Sequence, residues 1–316
     1  MGASMTKKVE FPAAFLASGI LVLAACSGGG GGASPAPAPP APVPPPLLSF
    51  QTTNTMVAYP AASATALVTN TGVGGVAAAP SSQSATITIT TSGSGVTTAA
   101  FNIPTAGATF TQQVAESVWD TGGPFYATVP TAALGALNLT SAFGSPNAPG
   151  VIIAQSTGAQ SLNYAAYGVW AVSDTATAGR AGTFAFGNLT PAASVPATGT
   201  ATFNGITIGV GGATSGSTVY ALQGNAQIIA NFGNQSVTAN LTNLGTQNIS
   251  TNATGSLPNL TGTSTISGSA YTGPISGTGL TGTINGNFYG PAALETAGVW
   301  QASGSGNSWI GSYGAK

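Results

Sequence analysis

Few residues of this 316-residue chain have side chains suited to acid–base or metal chemistry: five are acidic, four are basic, one is cysteine and none is histidine. Glu116 and Asp120 are four residues apart, so on a helix they would share a face and could act as an acid–base pair or hold a metal ion. The flanking Thr-Phe-Thr-Gln-Gln-Val sequence instead predicts a strand. In a strand the two positions are about 13 Å apart, so we do not expect a functional pair.

The composition excludes several classes of protein. Charged residues make up 3% of the chain, against about 25% in ordinary soluble proteins. Four scattered cations cannot form the basic stripe that phosphate contacts require. Without histidine and with one cysteine, the chain lacks imidazole and thiolate metal sites, an internal disulfide and a conventional activator for a serine nucleophile. We therefore expect no enzyme activity, no catalytic or metal-ligating residues, no cofactor and no nucleic-acid partner.

The single cysteine, Cys26, follows a segment with the features of a secretion signal. Lys7 and Lys8 precede an apolar run from Phe11 to Leu23, which is shorter than the roughly 20 residues of a membrane span. Residues 23–26 read Leu-Ala-Ala-Cys, which resembles the lipobox of bacterial lipoproteins. That resemblance implies that residues 1–25 are a signal peptide and that Cys26 is lipidated with palmitate-type chains. The alternative is an ordinary signal peptide with an incidental cysteine.

Residues 26–49 have the composition of a tether. The glycines at 28–32 are flexible, and the Pro/Ala run at 34–46 favours an extended polyproline II rod. Ser27 follows the cysteine, and a serine there favours sorting to the outer membrane. We expect a lipid anchor in the outer membrane and a folded domain held away from it.

After residue 50, short alternating runs separated by Gly, Asn and Pro predict an all-β fold. The alternation is clearest from Val219 to Phe232, followed by a Gly233-Asn234 turn and a second alternating run, which together predict a hairpin. One face of the first run is apolar and is expected to point into a barrel; its members are Tyr220, Leu222, Gly224, Ala226, Ile228, Ala230 and Phe232.

Nine such runs lie in residues 161–316, which predicts a C-terminal eight-stranded antiparallel β-barrel, with one run left over as a bulge or split strand. The runs Tyr164–Val172 and Gly182–Phe186 are assigned to this barrel. Residues 50–160 are less regular. They are predicted to form a smaller β-rich, handle-like subdomain, with strands that include 84–91, 110–119, 125–129 and 151–154 and a helical turn at 131–137.

The C-terminal segment is the most specific in the chain. It contains Gly286-Asn287-Phe288-Tyr289-Gly290-Pro291, then Glu295 and Trp300, and it closes on Gly311-Ser312-Tyr313-Gly314-Ala315-Lys316. This resembles the β-barrel domain of transferrin-binding protein B and related bacterial surface lipoproteins. The stretches 164–170 and 199–205 also resemble the opening strands of that barrel. Independently of the resemblance, glycines alternate with aromatic residues here, so that rings can cover neighbouring backbone.

The resemblance implies a surface-exposed lipoprotein of the outer membrane that binds a protein ligand. The best-known family members bind transferrin and pass iron to a partner transporter, and other barrel relatives bind haem-carrying proteins or complement regulators. The resemblance therefore implies a protein ligand or a TonB-dependent receptor as partner, but no transferrin-contacting residue can be placed on this sequence. The loops expected here are short and nearly uncharged. Glu295 lies in a Pro-Ala-Ala-Leu-Glu turn and is interpreted as an acceptor of backbone N–H bonds rather than as a catalytic group.

Aromatic residues are the other candidates for a binding role. Tyr164, Tyr167 or Tyr220 could ligate haem iron, but packing in the barrel is the favoured interpretation. Three tryptophans fall in predicted barrel strands and are expected to anchor the core, while an exposed one would be a contact hot spot. The four tryptophans are Trp119, Trp170, Trp300 and Trp309.

The sequence is compatible with three functions. The first is a binding lipoprotein of the outer membrane. The second is a structural or adhesive surface lipoprotein, since a nearly uncharged surface reduces repulsion between neighbouring copies. The third is an integral outer-membrane barrel, which would need apolar residues outward and is disfavoured by the lipobox.

Overall fold

The computed structural model describes residues 56–69, 72–76, 85–91, 96–103, 108–115, 149–154, 162–173, 178–215, 219–248, 251 and 253–316. Side chains are described for 162–170 and from 181 onward. Within these ranges, no helix has both the length and the apolar character needed to cross a membrane.

The first sheet holds eight of the strands described. They are β1 (Met56–Thr69), β2 (Gly72–Val76), β3 (Ala85–Thr91), β4 (Val96–Ile103), β5 (Ala108–Ala115), β6 (Pro149–Ala154), β7 (Ala165–Ser173) and β8 (Ala178–Gly187). Their order is β5-β4-β3-β1-β8-β7-β6, and β2 pairs with β1. The long strand β1 pairs with β3 along its first part and with β8 along its second.

The second sheet closes into a barrel. Its strands are β9 (Thr200–Ala213), β10 (Val219–Asn231), β11 (Ser236–Asn248), β12 (Thr254–Ser256), β13 (Leu260–Ser267), β14 (Ala270–Gly277), β15 (Leu280–Tyr289), β16 (Glu295–Gly304) and β17 (Asn307–Ala315). The path runs from β10 through β9, β17, β16, β15, β14 and β13 to β11, and β11 pairs back with β10. The short strand β12 lies beside β11 outside this ring. The predicted all-β fold, with an eight-stranded antiparallel barrel after a smaller β-sheet, is confirmed.

Two strands predicted for the barrel lie in the first sheet instead. The runs Tyr164–Val172 and Gly182–Phe186 correspond to β7 and β8, which pair with each other, and β8 also pairs with β1. The first sheet therefore extends past the boundary predicted at residue 161, and the barrel begins at Thr200. The helical turn at 131–137 and the strand at 125–129 lie outside the described residues.

The predicted hairpin at 219–248 is confirmed, and so is the direction of its apolar face. Strands β10 and β11 join through a turn at 232–235. Of the seven residues expected to point inward, six are buried and Tyr220 is half-buried. Its ring lies 6.1 Å from that of Trp309, which belongs to the same interior cluster.

Aromatic rings fill the barrel interior. Phe288 lies at the centre of the stack, with ring centroids 5.3 Å from Tyr271, 5.4 Å from Phe232 and 6.0 Å from Phe203. The rings meet at tilted angles, an arrangement that aromatic pairs favour. These side chains come from β9, β14, β15 and the turn after β10, so the interior packing joins strands from different parts of the barrel.

Three of the interior rings, those of Tyr271, Tyr313 and Trp300, have their polar atoms hydrogen-bonded inside the barrel. The Tyr271 hydroxyl lies 2.5 Å from that of Tyr313 and 2.6 Å from Thr296 Oγ1. The Trp300 indole N–H donates to Thr207 Oγ1 at 2.8 Å. Burial raises the pKa of both tyrosines above the ordinary range, so they remain neutral and can serve as donors and acceptors.

Glycines lie against several of the large interior rings, including Trp300, Trp309 and Tyr271. A Cβ placed at Gly311 would overlap the Trp300 indole. We predict that Gly311→Ala lowers the free energy of unfolding by about 2–3 kcal/mol through overpacking, as measured by chemical denaturation. Gly233→Ala is the matched control, because a Cβ there meets only ordinary contacts, and its effect should stay within about 0.5 kcal/mol. Equal losses in the two variants would contradict the interior packing described.

Candidate binding surface

One side of the barrel's outer wall is covered by the first sheet. Outward-facing apolar residues of β9, β16 and β17 pack against residues of β7 and β8 in one buried cluster. We call this side the covered wall; its barrel members include Ile208, Val210, Ala297, Val299 and Ile310. Strand β17 packs against the barrel interior on one face and against the first sheet on the other. Residues 308–315 are therefore all buried.

Side-chain hydrogen bonds join the covered wall to the first sheet. Ser312 Oγ donates to the Gly168 carbonyl at 2.9 Å, and Thr183 Oγ1 donates to the Gly311 carbonyl at 3.1 Å. At one end of the barrel, Thr190 N–H donates to the Phe288 carbonyl at 2.9 Å. The hydroxyls therefore add directional contacts to an apolar interface.

Glu295, at the start of β16, makes several hydrogen bonds to the segment where β7 begins. Its carboxylate accepts three backbone N–H bonds at the start of β7, from Asn163 (2.6 Å), Tyr164 (2.8 Å) and Ala165 (3.0 Å). The side chain is 2% exposed. Burial raises the pKa of the Glu295 carboxyl above its usual value, and the three N–H donors and the charge of Lys316 limit that rise. The predicted role as a backbone acceptor is confirmed, but its donors lie about 130 residues away rather than in its own turn.

On the other side of the barrel, the described residues of β11, β13 and β14 include nine outward-facing ones that are exposed or half-buried, and all but one of them are polar. We call these nine residues the open wall. They are Ser236, Thr238, Asn240, Thr261, Thr263, Thr265, Thr272, Pro274 and Ser276. In residues 181–316 the sequence has two charged residues, Glu295 and Lys316, and neither belongs to the open wall. Its surface chemistry is therefore that of hydroxyls and amides.

The strand register arranges the open wall in rows across the sheet. Thr238 lies opposite Thr263, and Thr265 lies opposite Thr272. Next to these rows, Asn240 Nδ2 donates to Gln227 Oε1 at 3.3 Å, and Gln227 Nε2 donates to Asn204 Oδ1 at 3.1 Å. These bonds hold the neighbouring amides in fixed orientations.

Short turns join most of the barrel strands. The β13–β14, β14–β15 and β16–β17 connections are residues 268–269, 278–279 and 305–306, which agrees with the short loops expected from the sequence. Such turns offer little area to a partner. The open wall is therefore the larger accessible surface of the described barrel.

A groove lies at one edge of the open wall, where the β10–β11 register shifts between Gln223 and Asn225. We call it the β12 groove. It has a volume of about 500 Å³, and its lining includes Ile206, Ala221, Gln223, Asn225, Asn243 and Gln247. The β12 groove was not predicted from the sequence. The glycines at 224 and 245, within otherwise alternating strands, are the signal that could have indicated a bulge.

The other candidate residues are placed as follows. Cys26, Glu116, Asp120 and Trp119 lie outside the described residues. Tyr167 is buried in the cluster of the covered wall, and Tyr164 is half-buried beside it. Trp170, Trp300 and Trp309 are 4% exposed or less, as expected for core anchors, although Trp170 belongs to β7 rather than to the barrel.

Residues 195–316 match the family model described as the C-lobe and N-lobe beta barrels of Tf-binding protein B. Residues 195–316 are a β-barrel domain of the transferrin-binding protein B-like kind. The matched range includes all nine strands of the second sheet, and therefore both the covered wall's barrel residues and the open wall.

Several solved structures are similar to this chain. A structure described as a surface lipoprotein is 16% identical, with 60% of this chain and 88% of that chain covered and a TM-score of 0.38. A point mutant of transferrin-binding protein B from Actinobacillus pleuropneumoniae H49 is 14% identical, with 81% and 99% covered and a TM-score of 0.40.

Transferrin-binding protein B from Neisseria meningitidis is 15% identical, with a TM-score of 0.38. The match covers 74% of this chain, which spans about half (52%) of that one. No curated protein matches the chain.

The Glu295 contact generates a stability prediction. Glu295→Ala removes the acceptor of three N–H groups, each of which costs about 1–3 kcal/mol when buried without a partner. Because Asn163 is exposed, water can replace part of the loss, so we expect a decrease of about 3 kcal/mol in the free energy of unfolding. Glu295→Gln, which keeps one acceptor, should fall between Ala and the wild type. The neighbouring Leu294 is 54% exposed, and Leu294→Ala is the control. A Glu295→Ala variant as stable as that control would contradict the contact.

The raised pKa of Glu295 generates a pH prediction. The folded state takes up a proton at higher pH than the unfolded chain, whose carboxyl has the ordinary value of 4.5. The free energy of unfolding of the wild type, relative to Glu295→Gln, should therefore rise as the pH falls from neutral to 4.5, and level off below it. Denaturant titrations of both proteins across this range test the sign. A difference that shrinks on acidification would show a lowered pKa instead.

Proposed function

We propose that this chain is a lipid-anchored protein of the outer-membrane surface that binds another macromolecule through the open wall of its barrel and catalyses no reaction. The observation that carries the binding role is the family match over residues 195–316. The anchor rests on the Leu-Ala-Ala-Cys sequence that ends at Cys26 and on the Gly/Pro-rich tether of residues 26–49.

The contacts of the barrel support the choice of the open wall. The covered wall is occupied by the first sheet, the interior is filled by aromatic rings, and the turns between most strands are short. A protein ligand, with transferrin and haem-carrying proteins as the first classes to test, would meet a neutral surface of threonines and amides. A TonB-dependent receptor is the second partner class, because delivery of iron across the outer membrane requires one.

The neutral open wall also favours a second function. Without charge on this surface, neighbouring copies or cells repel one another weakly. A structural or adhesive surface lipoprotein with no soluble ligand would use the same wall.

Lipid attachment predicts a specific consequence of Cys26→Ala. In a Gram-negative host, the wild-type chain should incorporate labelled palmitate and fractionate with the outer membrane, whereas Cys26→Ala should incorporate none and leave the membrane fraction. Two or more acyl chains anchor a protein stably, so salt washing should not release the wild type. The companion variant Ser27→Ala should be labelled like the wild type. Membrane retention of Cys26→Ala would refute anchoring through this residue.

The binding role is tested by placing a charge on the open wall. Cells displaying the full-length protein are incubated with iron-loaded transferrin, haemoglobin or host serum, and the captured proteins are identified. We expect a captured partner whose binding falls at least about tenfold in Thr263→Glu, since a buried unpaired charge costs more than 1.4 kcal/mol. Thr278→Glu adds the same charge at an exposed turn and should bind normally. If no protein is captured, and cells lacking the chain clump less, the adhesive function is correct instead.

A further inference from the structure

The β12 groove is built by a local change of strand pairing. Gln223 on β10 pairs with Gly245 on β11, but Asn225 pairs with Thr242, so β11 has an additional residue within this interval. Asn243 adopts a left-handed backbone there (φ 53°), a conformation that asparagine tolerates better than most residues. The resulting bulge spreads β10 and β11 on the outer surface, and the groove lies over it.

Amide side chains dominate the polar lining of the groove. Gln223 and Asn225 come from β10, and Asn243 and Gln247 come from β11. Each primary amide offers one acceptor oxygen and two donor hydrogens. None of the lining residues carries a charge, so the groove matches a neutral ligand that both donates and accepts hydrogen bonds.

The apolar part of the lining restricts the class of ligand that the groove can bind. Ala221 is 6% exposed and belongs to β10, and Ile206 is half-buried on the adjacent β9. Together they present aliphatic surface beside the amides. The volume of about 500 Å³ lies within the roughly 300–1,000 Å³ of small-ligand sites. A ligand with a C–H face and a hydroxyl edge, such as a sugar ring, satisfies both kinds of lining.

The strand pairing disfavours an extended peptide as the occupant. Residues 245–247 of β11 pair with β10 on one side and with β12 on the other. Their backbone groups are therefore already engaged, and peptide addition to a sheet depends on free backbone groups. Recognition beside residues 245–247 must therefore come from side chains.

We propose that the β12 groove binds a neutral saccharide, with the amides of Gln223, Asn225, Asn243 and Gln247 bonding its hydroxyls and Ala221 and Ile206 meeting its C–H face. This site does not depend on the lipid anchor or on the open wall, so it can be correct where the proposed function is wrong. Because the groove is uncharged, its affinity should be insensitive to salt.

The test uses the full-length protein in detergent and titrates it with cellotriose, maltotriose and N-acetylated chitotriose in a calorimeter. We expect at least one of the three to bind with a dissociation constant of about 1 mM or tighter, unchanged between low and high salt. Asn225→Asp keeps the shape but removes two donors and adds a charge, and it should weaken binding at least about tenfold. Gln223→Ala provides a second, independent variant. Both positions are exposed, so folding should be retained, and the unfolding midpoint is measured for each.

Thr263→Ala, on the open wall and outside the groove, is the matched control and should keep the wild-type affinity. Failure of all three oligosaccharides to bind the folded protein at millimolar concentration would overturn the proposal. Binding that survives both Asn225→Asp and Gln223→Ala would also overturn it, because the saccharide would then occupy a different site. The Thr263→Glu capture assay has a separate readout, so failure there leaves this result interpretable.

Discussion

The packing of the first sheet against one side of the barrel determines which of the barrel's outward-facing residues are buried and which are exposed. A barrel strand normally buries one face and exposes the other. In β9, β16 and β17, however, the outward residues Ile208, Val299 and Ile310 are as buried as the interior ones. Docking of β7 and β8 on this side therefore divides the outer surface into a covered wall and an open wall. The division leaves the open wall as the accessible surface.

The near absence of charge shapes how these contacts are made. In residues 181–316, Glu295 is the one acidic residue of the sequence. Its carboxylate accepts hydrogen bonds from three backbone N–H groups at the start of β7. Elsewhere, hydroxyls and indoles bond to carbonyls and to one another, as in the Trp300–Thr207 contact. The positions of the interior side chains are set by glycines that lie against aromatic rings and by hydrogen bonds between neutral groups. Both require close packing. A single added methyl group, as in Gly311→Ala, is therefore expected to lower the free energy of unfolding.

The sequence predicted the barrel well because its signals are local. Alternation from Val219 to Phe232 specifies which side chains face inward, and the Gly-Asn turn specifies the hairpin. Assignment of β7 and β8 failed because alternation reports burial of a face but does not identify the sheet that a strand joins. The described side chains of β7 and β8 are buried on both faces, and so are those of residues 308–315 in the barrel strand β17. The donors to Glu295 were also unpredictable, since a contact over about 130 residues depends on how the sheets dock.

The β12 groove also depends on strand pairing that the sequence of one strand does not specify. Its residues Gln223 and Asn225 read as ordinary outward positions of a strand, and only the register shift opposite Asn243 turns them into the wall of a cavity. Bulges of this kind depend on the pairing of two strands. The sequence of either strand alone therefore does not reveal the site.

The division of the barrel surface is tested most directly by the reactivity of single cysteines in a Cys26→Ala background. Cysteine is introduced in turn at Val299 and Ile310 of the covered wall, and at Thr263 and Ser276 of the open wall, and the rate of maleimide labelling is measured in the folded protein. We expect rapid labelling at Thr263 and Ser276, and labelling slower by orders of magnitude at Val299 and Ile310, where it must await opening of the interface. Comparable rates at all four positions would show that the first sheet does not cover this side of the barrel.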